Sequence, residues 1–126
     1  MGKAIRQMRR VYRLKFYVNA SHAVRWENGT GQIHPHTWEI MCEVVVNQKE
    51  IVPFDVIEKK ADNYFEQYQG KLLNEVPPFD QENPTLENIT EHIYEDLNSV
   101  LLSIQCTLSR LEVGESPTRV YCISTD

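Results

Sequence analysis

The stretch that decides the fold of this chain is residues 19–44, which reads NASHAVRWENGTGQIHPHTWEIMCEV. It begins in one alternating segment, passes through a loop rich in glycine, and ends in a second alternating segment. Alternation of apolar and polar residues with a period of two is typical of a half-buried β-strand. The pair Asn28-Gly29 and the nearby Gly31 favour a turn between the two segments. The stretch therefore predicts two strands that pair antiparallel.

Both strands extend beyond this stretch. Residues 11–20 and residues 36–46 each carry apolar side chains at every second position, and His22 keeps the parity of the first set. The expected core-facing residues are Tyr12, Leu14, Phe16, Val18, Ala20, Trp38, Ile40, Cys42, Val44 and Val46. Each strand therefore has one face for a core and one face for solvent.

Two amphipathic helices are expected after the strands. Residues 55–68 have apolar side chains at helical spacing, and Gly70 offers a position where that helix can end. The second helix begins near Pro84-Thr85. There the Thr85 hydroxyl can cap the first turn, and Glu87 suits the positive end of the helix dipole.

Two short strands near residues 107–113 and 118–124 complete the pattern, with turn residues between them. The order of elements predicts an α+β protein: an antiparallel four-stranded sheet with two helices on one face. We expect residues 1–126 to form a single domain, since the chain has the length of one.

Composition excludes some functions. The net charge of −5 argues against a nucleic-acid binder, which needs clustered Lys and Arg. One basic run, residues 3–15, is explained by a solvated N-terminal arm or by an edge strand.

Neither a secretory signal nor a membrane span is expected, because no apolar stretch has the required length. Cys42, Cys106 and Cys122 are odd in number and widely spaced. Such cysteines fit a reduced, cytoplasmic protein.

Three of the four histidines fall between positions 22 and 36. His34 and His36 are two residues apart and point the same way on a strand, while His22 ends the strand that should pair with theirs. Three neutral imidazoles with one open position are typical of a catalytic zinc site. Spacing alone leaves open a coincidental pair on a solvated strand end. His92, on the second helix among acidic residues, is interpreted as a surface histidine.

The same residues resemble the family of 6-pyruvoyltetrahydropterin and 6-carboxytetrahydropterin synthases. The resemblance rests on the segments Ala20-Ser21-His22, His34-Pro35-His36, Leu73-Asn74, Pro84-Thr85-Leu86-Glu87-Asn88 and Val113-Gly114-Glu115-Ser116. They occur in the family's order and span almost the whole chain.

The resemblance implies a tunnelling fold, in which the sheet of each subunit joins others in a trimeric barrel that often stacks into a hexamer. It implies Zn2+ on His22, His34 and His36, and a small pterin as the substrate. It assigns Glu115 to the guanidine-like edge of the pterin ring. For Thr85 it leaves two interpretations, helix capping and substrate binding.

The chain departs from the family where the lyases of this family place their proton-transfer residues. Thr30 occupies the position of the usual cysteine, and Gln69 and Gly70 fall near the usual Asp-His pair. Cys42 is a poor replacement, since it lies roughly 20 Å along the strand from His36. Glu27 in the glycine-containing loop is the candidate for a general base, with a solvated loop carboxylate as the alternative.

We therefore expect a zinc-dependent, lyase-type enzyme that acts on dihydroneopterin triphosphate or a related reduced pterin, with altered chemistry. A catalytically silent module that binds zinc and pterin is the alternative, and a zinc hydrolase of an unrelated substrate is a third. The resemblance leaves the pathway open, since queuosine precursor synthesis, biopterin synthesis and folate bypass are all settings of the family.

Overall fold

The central pair of strands is the predicted one. The structure, a computed structural model, describes residues 9–125, so Lys3 and Arg6 of the basic run lie outside the described residues. Strand β1 (Tyr12–His22) pairs antiparallel with strand β4 (His34–Val46), from Tyr12 opposite Val44 to His22 opposite His34. The alternation of buried and exposed residues in β1 follows the sequence pattern, which confirms the predicted faces.

The main sheet has five strands in the order β5-β1-β4-β6-β7. Strands β6 (Cys106–Ser116) and β7 (Arg119–Ser124) continue it antiparallel on one side of β4, as expected from the sequence. The additional strand, β5 (Lys71–Leu72), pairs parallel with the end of β1. Two residues carry too little periodicity to be recognised in the sequence.

The predicted loop between β1 and β4 contains a small hairpin. Strand β2 (Arg25–Trp26) pairs with β3 (Gly29–Thr30), and a hydrogen bond of 2.8 Å from Gly31 N to Val24 O closes its base. A Cβ at position 31 would lie 3.1 Å from the Trp26 ring and 3.3 Å from that carbonyl oxygen, so glycine fits this close approach.

Two helices cover one face of the sheet. Helix α1 (Phe54–Phe65) ends three residues before the predicted end at Tyr68, because the chain turns there to bring Gln69 and Gly70 against β1. Helix α2 (Leu86–Leu102) begins as predicted, with the Thr85 hydroxyl accepting a 3.1 Å hydrogen bond from Asn88 N. No helix among residues 9–125 is both long and apolar enough to cross a membrane.

A single apolar core fills the space between the sheet and the helices. Helix α1 contributes Ile57, Ala61 and Phe65, and α2 contributes Ile89, Ile93, Leu97 and Leu101. They pack on the inner face of β1, β4 and β6. The α+β class with two helices on one face is thereby confirmed, and the end of β1 beyond the core is left to carry polar residues.

Two asparagines fix the chain immediately after β1. The Asn74 side chain exchanges two hydrogen bonds of 2.8 Å with the backbone N and O of Ala23. Asn83 does the same with Arg25, at 2.8 Å and 2.6 Å. These side chains satisfy backbone groups that would otherwise have no strand beside them. They therefore hold the segment that follows His22 in one position.

We predict that Asn74→Ala lowers the free energy of unfolding by about 1–3 kcal/mol. The backbone groups of Ala23, a residue that is 2% exposed, would lose their partners, and an unpaired buried polar group costs that amount. Urea unfolding followed by circular dichroism measures the change.

The matched control is Asn63→Ala. Asn63 is an exposed residue of α1, and alanine is the stronger helix former, so this variant should be as stable as the wild type or slightly more stable. Equal stability of Asn74→Ala and the wild type would contradict the prediction.

Candidate metal centre

Three histidines meet at the end of the sheet beyond the core. His22 lies opposite His34 across the β1–β4 pair, and His36 lies opposite Ala20, so His22 and His36 are diagonal neighbours. One nitrogen from each ring can be chosen so that all three lie within 4.8 Å of one another. The structure thus brings together the three residues that the sequence predicted as ligands, and the three could hold a metal ion.

A backbone carbonyl fixes two of the imidazoles from behind. His22 Nδ1 lies 2.8 Å from Pro84 O, and His34 Nδ1 lies 2.9 Å from Gln32 O. A carbonyl can only accept, so Nδ1 of His22 and of His34 carries the proton and Nε2 of each keeps a lone pair. The third ring, His36, lies beside the backbone of Glu115, which raises its pKa against the effect of burial.

The three Nε2 atoms are left without a donor. His22 Nε2 and His34 Nε2 are 2.9 Å apart, although both are acceptors in the tautomers that the carbonyls select. His36 Nε2 is buried with no hydrogen-bond partner among the described residues. Lone pairs at this distance repel unless a positive charge lies between them. The donor set therefore fits a cation that prefers neutral imidazole nitrogen.

Burial favours the neutral form of His22 and His36. Desolvation is the largest cause that lowers the pKa of His22, which is 1% exposed, and it also lowers the pKa of His36. Trp38 packs edge-on against both rings, at centroid distances of 4.9 and 5.1 Å. An imidazole binds a metal in its neutral form, so burial of these two rings favours a metal ligand.

A β-bulge places Glu115 beside His36. In the β6–β7 pair, Gly114 lies opposite Val120 and Ser116 opposite Arg119, so Glu115 is the extra residue. Bulges redirect a side chain and are frequent next to active sites. Arg119 Nη1 lies 3.8 Å from a Glu115 carboxylate oxygen, and the Glu115 side chain is only 14% exposed. An acid predicted from sequence thus adjoins the histidines in the structure.

The other two predicted residues are placed differently. The Thr85 hydroxyl caps α2, and this structural role explains the residue without any contact to a substrate. Thr85 follows Pro84, the residue whose carbonyl holds His22, so the cap also steadies the three-histidine cluster. Glu27 lies exposed in the turn of the β2–β3 hairpin, and residues 9–125 give it no ion pair or side-chain hydrogen bond.

The positions that depart from the family pattern have structural roles. Thr30 lies in β3 opposite Arg25. Gln69 Oε1 accepts a hydrogen bond of 3.0 Å from Asn19 N, and its Nε2 donates at 2.9 Å to Tyr17 O. Gly70, at φ +70°, donates to Asn19 O. These groups complete the edge of β1 with hydrogen bonds instead of offering an acid or a base.

The chain is therefore an α+β protein with three histidines at one end of its sheet. These histidines lie beside the Glu115 carboxylate and could hold a metal ion. The family model of 6-pyruvoyl tetrahydropterin synthase matches residues 11–126. The chain therefore belongs to that family, which confirms the resemblance predicted from its sequence motifs. Among curated proteins, none matches the chain in sequence.

Solved structures share the fold at low identity. The 6-pyruvoyl tetrahydropterin synthase of Caenorhabditis elegans is 15% identical, with 95% of this chain and 100% of that chain covered and a TM-score of 0.76. A Plasmodium vivax enzyme of the same name, described as a catalytic residue mutant in which a glutamate is replaced by alanine, is 13% identical, with 93% and 99% covered and a TM-score of 0.67. At such identities the likeness shows the fold alone.

Sequence reasoning did not find the groups that hold the histidines from behind. Two of them are the backbone carbonyls of Gln32 and Pro84, and carbonyls carry no signature in a sequence. The segment Leu73-Asn74 is part of the family resemblance, but its sequence does not reveal that the Asn74 side chain binds the backbone of Ala23. A side chain that pairs with backbone 51 residues away is visible only in the fold.

We predict that one of the three cysteines reacts with a thiol reagent in the native protein. Cys42 is 1% exposed, and desolvation raises the pKa of its thiol to about 12, so it is neither accessible nor ionised near neutral pH. Cys106 is also buried, whereas Cys122 is exposed. DTNB at pH 8 should therefore titrate one thiol per chain.

The variant Cys122→Ser should reduce that number to zero, while full unfolding of the wild type should raise it to three. Rapid modification of Cys42 in the folded protein would contradict the structure. Such reactivity would also make Cys42 a candidate nucleophile or base.

Proposed function

We propose that this chain is a zinc-dependent, lyase-type enzyme that acts on dihydroneopterin triphosphate or a related reduced pterin. The observation that carries the proposal is the convergence of three imidazole nitrogens, one of them buried and unpartnered among the described residues. Three histidine ligands with an open fourth position are typical of catalytic zinc rather than structural zinc. The family to which the chain belongs supports the choice of a pterin.

The chemistry divides between the ion and the side chains. When bound, zinc acts as a Lewis acid that makes a hydroxyl on the pterin side chain easier to deprotonate. His22, His34 and His36 would hold the ion, and the carbonyls behind His22 and His34 keep these two rings in the tautomer that binds a metal. Trp38 and the burial of His22 exclude water from one side of the cluster.

Glu115 supplies the anchor for the ring. A carboxylate can accept two parallel N–H groups, which matches the guanidine-like edge of a pterin. The bulge that redirects this residue also places it beside His36. The anchor and the three histidines therefore lie on neighbouring strands of one sheet, which would fix the pterin relative to the metal.

Glu27 is the general base in this proposal. The position of the usual cysteine is Thr30, whose hydroxyl is too weak an acid to replace a thiol unaided. Glu27 lies in the turn of the same short hairpin, between the strands that end and begin with the metal ligands. The mutated catalytic residue of the Plasmodium vivax enzyme is also a glutamate, which supports a carboxylate in this role.

The oligomeric state and the cellular compartment of the protein are also part of this proposal. We infer a homo-oligomer, a trimer or a hexamer, since the sheet of the described residues ends in β7, which pairs on one side only. The absence of disulfides among the three cysteines supports a reducing, cytoplasmic environment.

A module that binds zinc and pterin without turnover is the second candidate. The observation in its favour is that Thr30, Gln69 and Gly70 replace a proton-transfer set and that Gln69 and Gly70 are engaged in backbone hydrogen bonds. The two candidates agree on the ligands and differ only in whether a product forms.

We predict one zinc per chain in the wild type and product formation from at least one phosphorylated reduced pterin. His36→Ala should weaken zinc binding by roughly 100-fold or more, because it removes a direct ligand, a larger change than loss of a supporting contact. Product formation should be lost with the metal. Metal analysis and chromatography of the products measure both.

His92→Ala is the matched control. His92 lies outside the cluster, 2.9 Å from Asp96 on α2, so zinc content and product should be unchanged. Retained zinc and product in His36→Ala would contradict the proposal. Pterin bound by the wild type without any product from the panel would reject the enzyme and leave the binding module.

A further inference from the structure

An arginine lies beside the carboxylate of Glu115. In the β6–β7 pair Ser116 lies opposite Arg119, and Glu115 is the extra residue of the bulge just before it. The extra residue of a bulge shares its partner with its neighbour, so Glu115 also faces Arg119. Strand β6 ends at Ser116 and β7 begins at Arg119, so a tight turn holds the arginine next to the acid.

Arg119 extends from the face of the sheet that carries the histidines. Tyr121 on β7 pairs with Val113 on β6, which is buried in the core. Arg119 is two residues from Tyr121, so its side chain leaves the strand on that same face. His36 is likewise two residues from Trp38, which is buried in the same core. The arginine and the three-histidine cluster therefore share one face of the sheet.

The charge of Arg119 reaches the three-histidine cluster. Burial is the largest cause that lowers the pKa of His36, the negative charge of Glu115 raises this pKa, and the positive charge of Arg119 lowers it. Both members of the Glu115–Arg119 pair therefore lie within electrostatic range of this histidine. A molecule that extends from the cluster to Glu115 accordingly ends beside Arg119.

The spacing of the pair leaves both charges open to a third group. Arg119 Nη1 and the nearer Glu115 carboxylate oxygen are 3.8 Å apart, which is longer than an N–H···O hydrogen bond. Within residues 9–125, no other acidic side chain forms an ion pair with Arg119, and its side chain is 75% exposed. A guanidinium has five N–H donors, so Arg119 keeps donors available beside a carboxylate that only accepts.

The pair matches the polar edge of a pterin in the order of its groups. Beside the two N–H donors of the guanidine-like edge, a pterin carries a carbonyl oxygen at C4, which is an acceptor. Glu115 offers acceptors to the two donors, and Arg119 lies next to it with a donor for the oxygen. Arginine binds the corresponding oxygen of guanine in nucleic acids. A carbonyl oxygen that leaves water without gaining a donor is costly, so the arginine completes the recognition of this edge.

We propose that Arg119 is a specificity-determining residue that donates a hydrogen bond to the C4 carbonyl oxygen of the pterin while Glu115 binds the guanidine-like edge. The inference rests on the proposed function, because it takes a pterin as the ligand of Glu115. It adds a selection between rings. A ring with an amino group at C4 turns N–H donors toward the guanidinium, and two facing donors make no hydrogen bond.

The test measures binding of two rings that differ at C4, pterin with its oxygen and 2,4-diaminopteridine with an amino group. Fluorescence titrations use the zinc-loaded wild type, Arg119→Met and the control Arg13→Met. Arg13 is exposed near the start of β1, at the end of the strand away from His22. The control therefore removes the same charge far from the three-histidine cluster.

Arg119→Met should bind pterin about tenfold more weakly, because it loses a charge-assisted hydrogen bond. It should bind 2,4-diaminopteridine as the wild type does or more tightly, and Arg13→Met should match the wild type for both rings. Equal weakening of both rings by Arg119→Met would overturn the proposal. Unchanged pterin binding would also overturn it, as would tighter pterin binding, which would make the arginine a cover over Glu115.

The same titrations separate this inference from the proposed function. Glu115→Ala should weaken binding of both rings, because both carry the 2-amino group. A wild type and an Arg119→Met variant that bind pterin equally well would keep the proposed function and reject the role of the arginine. A zinc-loaded wild type that binds neither ring would reject the pterin as ligand, and the inference would fail with it.

Discussion

The pairing of β1 with β4 is the interaction on which the rest of the site depends. Register in an antiparallel pair has a period of two, so a slip by one residue would move each histidine to the opposite face. The buried faces of both strands prevent that slip, since Phe16, Val18 and Ile40 would then meet solvent. The apolar core of this chain thus sets the geometry of its polar end.

The three-histidine cluster is built from parts that are distant in sequence. The carbonyls that hold His22 and His34 belong to the residue before the α2 cap and to the loop before β4. Each pairs with Nδ1, so each leaves Nε2 as a bare acceptor. Two such acceptors 2.9 Å apart are costly without a cation, and the surrounding fold stabilises them in place. A site of this kind is organised before its ligand arrives.

Much of this fold could be predicted from the sequence, because its strands alternate regularly and its second helix has a clear cap. The short strand β5 and the hairpin β2–β3 could not, since two residues show no period. The predicted end of α1 at Tyr68 was also wrong, since the helix ends at Phe65. Its apolar spacing continues to Tyr68, which is buried, but Gln69 and Gly70 bond to the edge of β1 and stop the helix earlier.

The candidate site, like the fold, could be predicted from the sequence only in part. Spacing predicts that His34 and His36 share a face, because side chains two apart on a strand must do so, and the structure brings both together with His22. Glu115 was found from resemblance, and its bulge explains how it reaches the cluster.

The central claim is that zinc binds to three histidine nitrogens and keeps one position open. X-ray absorption at the zinc edge of the loaded protein tests it most directly. The account predicts three nitrogen neighbours at about 2.0 Å and one light atom that changes when a pterin is added. A sulfur neighbour at about 2.3 Å, or a shell made of oxygen alone, would contradict it.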